Sequence, residues 1–113
     1  MMKGYDKQEA MDYIVSGIKA KDHPELQDCI PQIISLAIDA DMQFMHDTHV
    51  LDEDGGAGTE YYDDDDAFEF MVEYVAEKMK LDPVKAVKVA SLIDDYMDLQ
   101  QAYLESKGLV EWE

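Results

Sequence analysis

Apolar residues recur along this chain at helical rather than strand spacing, and four amphipathic segments follow from them. In the first, Met11, Ile14, Val15 and Ile18 stand at i, i+3, i+4 and i+7, while Asp6 is placed as an N-cap with Glu9 three residues later. That pattern predicts a helix over roughly 7–20. The second segment opens near Asp22-His23-Pro24, where Asp22 or His23 is placed to cap and Pro24 suits a first turn. Pro31 interrupts the backbone bonding of the turn before it, so 24–30 is expected as a short separate turn, with the main helix starting at Pro31. Two adjacent stripes follow, Ile33, Ala37, Ala40 and Phe44 beside Ile34, Ile38, Met42 and Met45. So wide an apolar face marks the central helix.

The stretch from Leu51 to Glu60 breaks the pattern. It holds three glycines within four residues among clustered acids, and it predicts a loop. The third helix opens at Asp63 to Asp66, four carboxylates at the positive end of its dipole, with Phe68, Met71, Val72, Val75 and Met79 as the apolar stripe. Asp82-Pro83 then supplies an N-cap and a first-turn proline for a fourth helix, whose stripe is Ala86, Val89, Ala90, Ile93, Met97 and Leu104. It ends at Lys107-Gly108, with Leu109 placed for a glycine-terminated cap, and a tail containing Trp112 follows. No segment alternates strictly over more than a few residues. The reading is an all-α, compact bundle of about four helices in one domain over 1–113, with a Gly/Asp-rich loop between the second and third.

Composition agrees with that size of fold: 47% of the 113 residues are hydrophobic, enough for a single helical core. No apolar run approaches the ~20 residues that cross a bilayer. The charged N-terminus, Met1-Met2-Lys3-Gly4-Tyr5-Asp6-Lys7, lacks the apolar stretch of a secretory signal, so a cytoplasmic protein is expected. Cys29 is the only cysteine, which excludes an intramolecular disulfide, and its neighbours Leu26, Ile30 and Ile33 suggest a small buried apolar group.

Charge changes the picture more. The net charge is -18, from 27 acids against nine lysines, with no arginine. Residues 22–77 hold 17 of those acids and no lysine at all. A surface of this sign repels nucleic acid and anionic lipid and attracts cations, basic proteins, or proteins that themselves hold nucleic acid. Within the third helix Asp65, Glu69, Glu73 and Glu77 recur every fourth position, forming one ridge at roughly 6 Å per step. Like charges at that spacing destabilise a helix by a few tenths of a kcal/mol per pair. A row of carboxylates on a rigid rod resembles, in charge and repeat, one strand of a phosphate backbone.

Three chemistries compete with that reading. An EF-hand starting at Asp52 places Asp54 at position 3, Gly56 at 5, Ala57 at 6, Glu60 at 9 and Asp63 at 12, so it lacks the glycine at 6, a ligand at 5 and the glutamate at 12. His46 and His49 share a helix face if the second helix extends that far, with Asp39 and Asp41 one to two turns earlier, but no second cluster completes a metal sphere. Asp94, Asp95 and Asp98 crowd the fourth helix without a companion cluster, and no nucleophile with a base, phosphate-binding glycine loop or nucleotide signature is present. Lys78, Lys80, Lys85 and Lys88 gather where the third and fourth segments meet. Four lysines beside so acidic a segment suit an antiparallel helical hairpin better than a DNA-reading one.

The expectation is a non-enzymatic acidic binding protein without a cofactor. Its contact surface is Asp52, Glu53, Asp54 and Glu60 of the loop with Asp63, Asp64, Asp65, Asp66, Glu69, Glu73 and Glu77. The partner expected is a basic or nucleic-acid-binding protein rather than nucleic acid or membrane. In its sharpest form the chain is a nucleic-acid mimic, of the general character of the small acidic inhibitors that phages and mobile elements direct against nucleases or CRISPR effectors. The alternatives are a cation- or metal-binding helical domain using the 52–63 loop or His46 and His49, and an acidic adaptor subunit of a larger assembly or homo-oligomer.

Overall fold

Among the described residues three of the four long helices begin where a side chain replaces missing backbone partners. In this computed structural model, which describes residues 5–51 and 62–108, α1 (Lys7–Gly17) starts behind Asp6, whose carboxylate accepts from the Glu9 amide at 3.1 Å. α3 (Asp64–Met79) starts behind Asp63, which accepts from the Asp66 amide at 3.1 Å, and α4 (Pro83–Ser106) behind Asp82, which accepts from Lys85 at 2.8 Å. Only α2 (Ile30–Asp47) lacks a side-chain cap, and Pro31 sits in its first turn, where a missing N–H costs nothing.

α1 stops at Gly17, before the expected 20, and Ala20–Asp22 forms a single 3-10 turn; Gln27–Cys29 is another, inside the 24–30 stretch read as a short separate turn before α2. The chain turns extended at Ile18 (φ -75°, ψ 131°), and a Cβ on Gly17 would lie 2.6 Å from Leu99 Cδ2, so the last turn of α1 packs closely on α4. Asp22 and His23 therefore cap no long helix, and His23 turns inward instead. Cys29, expected buried, is partly exposed at the edge of the core.

Among the described residues four α-helices alternate in direction around one core. Glu9 pairs with Lys107, the Tyr13 and Tyr103 rings lie 5.6 Å apart, and Gly17 meets Leu99, three rungs that set α1 antiparallel to α4. Phe44 near the end of α2 stacks with Tyr62 and Phe70 at the start of α3, centroids 6.0 and 5.7 Å apart. The residues Ile33, Ile34, Ile38, Met71, Leu92 and Ile93 are fully buried at the centre. The all-α bundle is as expected; among the described residues no strand forms, and no helix is long and apolar enough to cross a membrane.

Candidate functional site

The ridge on α3 is an exposed feature whose orientation the fold fixes. Ala67, Met71 and Val75 are buried at i, i+4 and i+8, which fixes the rotation of the helix about its axis. Asp65, Glu69, Glu73 and Glu77 are consequently all exposed, as are Asp63, Asp64 and Asp66 of the first turn. Twelve residues separate Asp65 from Glu77, a run of about 18 Å at the helical rise. Among the described residues none of these seven carboxylates takes part in an ion pair. Partial burial, then the neighbouring charges of Asp63 and Asp65, lift the Asp64 carboxyl above the ordinary carboxylate range. Asp52, Glu53, Asp54 and Glu60, and with them the EF-hand alignment up to its tenth position, lie outside the described residues, while Asp63, its twelfth, caps α3.

The histidine pair does not assemble. α2 ends at Asp47, Thr48 closes it through its hydroxyl to the Phe44 carbonyl at 2.7 Å, and His49 turns left-handed at φ 63°. His46 and His49 are exposed on separate turns of the chain, and His46 faces its neighbour Asp47 at 3.4 Å. Among the described residues no three His, Cys, Asp or Glu side chains converge as a metal would require. Asp94 and Asp98 point to solvent, while Asp95 accepts from buried His23 Nε2 at 2.7 Å and locks the α1–α2 connection onto α4. Beside that bond lies an open groove of about 250 Å³, bordered by Glu25, Leu26, Val87, Lys88 and Ser91, with Lys88 paired to Glu25 at 3.1 Å.

A second acidic feature is internal. Asp41 sits at the centre of the apolar face of α2, only 2% exposed, and no cation accompanies it among the described residues. Its two oxygens accept from tyrosine hydroxyls: Tyr62 at 2.7 Å on Oδ1 and Tyr96 at 2.8 Å on Oδ2. Tyr5 donates to Gln100 Oε1 at 2.9 Å, which leaves the Nε2 end of that amide for the Asp41 carboxylate. Nε2 is close enough to favour the charge on Asp41, yet it is buried without a hydrogen bond of ordinary geometry. Burial dominates and pushes the Asp41 carboxyl up to about 6, against the hydroxyls of Tyr62 and Tyr96 and the amide, which favour its charged form. Burial likewise raises Tyr5, Tyr62 and Tyr96, with the Asp41 charge adding to each.

Sequence reasoning placed Asp41 only as a distant neighbour of His46. The signal was present: Ile34, Ile38, Asp41 and Met45 follow one another at i, i+4, i+7 and i+11, so an acid on the core stripe was visible. Its tyrosine partners, 21 and 55 residues away, were not. No family model, curated protein or solved structure matches this chain.

Proposed function

We propose that this chain is a binding protein whose working surface is the α3 ridge, and that its partner is a basic protein, in the sharpest case one that holds nucleic acid. The observation that carries the reading is the exposure of Asp65, Glu69, Glu73 and Glu77 on one face with, among the described residues, no ion pair to neutralise them. A face evolved only to stay solvated would be stabler with lysines interspersed, because each like-charged i, i+4 pair costs a few tenths of a kcal/mol. Nucleic-acid mimicry meets a quantitative limit on this helix alone. One carboxylate per roughly 6 Å is about half the linear charge of a single DNA strand, which carries one phosphate per roughly 3.4 Å of axis. The first-turn cluster Asp63 to Asp66 concentrates more charge at one end, as does the loop sequence before it. A mimic would therefore engage a phosphate-binding cleft over that end.

The test compares the wild type with a variant carrying Asp65→Asn, Glu69→Gln, Glu73→Gln and Glu77→Gln. Proteins retained by the immobilised wild type from cell extract are identified, and the affinity of each purified partner for both forms is measured with and without competing duplex DNA. The expected result is a loss of at least about tenfold in affinity for the variant, the scale of removing several steering charges. Competition by DNA supports the mimic, and its absence leaves an acidic adaptor contact. Equal affinity for both forms removes the ridge from the interface.

A further inference from the structure

We infer that Asp41 is a proton-operated clasp that fixes the entry to α3: ionised, it holds the Tyr62 hydroxyl against α2 and α4, and protonated, it lets Tyr62 go while keeping Tyr96. The inference stands on the bundle alone and not on the ridge having a partner.

The geometry supplies each step. Tyr62 directly precedes Asp63, the residue that caps α3, so its hydroxyl is the last side-chain anchor before the helix begins. Its ring packs edge-on against Phe44 of α2. The Asp41 carboxylate thus joins three parts of the chain through two oxygens, Tyr62 on one and Tyr96 of α4 on the other. The groups that face it are Tyr62 and Asp64 from the α3 side, Tyr96 and Gln100 from α4, and Tyr5, ahead of α1. None is a cation. An ionised carboxylate accepts strongly at both oxygens, whereas a carboxylic acid keeps one good acceptor and gains a donor. When a proton arrives, the two hydroxyls compete for one acceptor. Tyr96 is fully buried whereas Tyr62 is part-buried, so displacing the Tyr96 hydroxyl from the carboxyl costs more than displacing that of Tyr62. Tyr62 is therefore the one released. The proton itself is accommodated within the cluster: rotation of the Gln100 amide would present Oε1 to the new O–H and Nε2 to the Tyr5 oxygen, satisfying the buried atom that now lacks a partner.

The experiment follows amide hydrogen exchange at Asp66, Ala67 and Phe68 between pH 5 and 7.5, corrected for intrinsic rates, in the wild type, Asp41→Asn and Tyr62→Phe. Alongside it, the side-chain carboxyl carbon of Asp41 is titrated by NMR. In the wild type, protection of the α3 first turn should fall about fivefold on acidification, the scale separating a charge-assisted hydrogen bond from a neutral one, with the midpoint of the Asp41 titration. Tyr62→Phe should show the low protection at every pH, and Asp41→Asn should be flat. All three histidines remain in both variants, so a response that survives Asp41→Asn arises elsewhere and overturns the inference. So does constant protection in the wild type, or a Tyr62→Phe protein that keeps the full pH response. Should Asp41→Asn fail to fold, the wild type and Tyr62→Phe decide the matter alone.

Discussion

Asp41 makes the stability of this protein depend on pH in the sense opposite to that of a salt-bridged carboxylate. Its carboxyl lies near 6 in the fold against an ordinary value of 3.8, so the folded state binds the proton more tightly than the unfolded chain. Below the ordinary value both states are protonated and there is no penalty. As pH rises from about 4 to about 6 the unfolded chain ionises first and stability falls; above that range the penalty is constant at about 3 kcal/mol. Asp41→Asn removes the titration. In urea denaturation at pH 4.5 and 7, the stability of the variant relative to the wild type should therefore rise by about 2 kcal/mol between the two pH values, whatever the absolute cost of the amide. A difference that is the same at both pH values would mean that Asp41 is ordinary in its ionisation. The position of this acid on the core stripe was legible in the sequence, because helical periodicity is a local property. Its role was not, because Tyr62 and Tyr96 reach it only once α2, α3 and α4 have packed.

At the scale of helices, starts were far more legible than ends. Asp6 and Asp82 cap as read, and Asp63, read only as the first of four acids opening α3, caps it too, since a cap satisfies amides two or three residues away and needs no tertiary partner. The close approach of Gly17 to Leu99 and the inward turn of His23 to Asp95 each involve another helix, so spacing along the chain could not show either. The end of α3 carries a cost of its own. Lys80 is left-handed at φ 53°, with the Leu81 amide bonded back to the Ala76 carbonyl at 2.9 Å, a closing turn normally given to glycine. Lys80→Gly should raise stability by about 1 kcal/mol, seen as a higher urea midpoint with an unchanged slope. The ridge offers a second gain. Glu73→Lys turns two repulsive i, i+4 contacts, with Glu69 and Glu77, into attractive ones and should stabilise α3 by about 1 kcal/mol in low salt. The gain should fade in 1 M NaCl, where the Debye length is about 3 Å; a gain that persists there would point to packing rather than charge.

For the whole molecule, alternating helix direction converts a charge pattern along the chain into one in space. Lys19 and Lys21 after α1, Lys78 and Lys80 closing α3, and Lys85 and Lys88 opening α4 gather at one end of the bundle. Asp47 at the end of α2 and Asp63 to Asp66 at the start of α3 lie at the other, so the ridge runs from an acidic pole toward a lysine-bearing one. With a net charge of -18, repulsion between carboxylates opposes the compact state, while the same field would draw the basic partner proposed above. Salt must then act on folding and binding in opposite directions. Raising NaCl from about 0.02 M to about 0.5 M shortens the Debye length from roughly 20 Å to roughly 4 Å, which screens the repulsion and should raise folding stability by about 1 kcal/mol or more. Over the same range a ridge-bound partner should bind more weakly, chiefly through a slower association rate, because steering acts on encounter. Measured together on one sample series, the two trends separate the readings of the acidic surface. If only folding responds to salt, the carboxylates serve solubility. If both respond, and the Gln variant of the ridge loses the salt dependence of association while gaining stability, the charge is kept at a cost to the fold because a partner reads it.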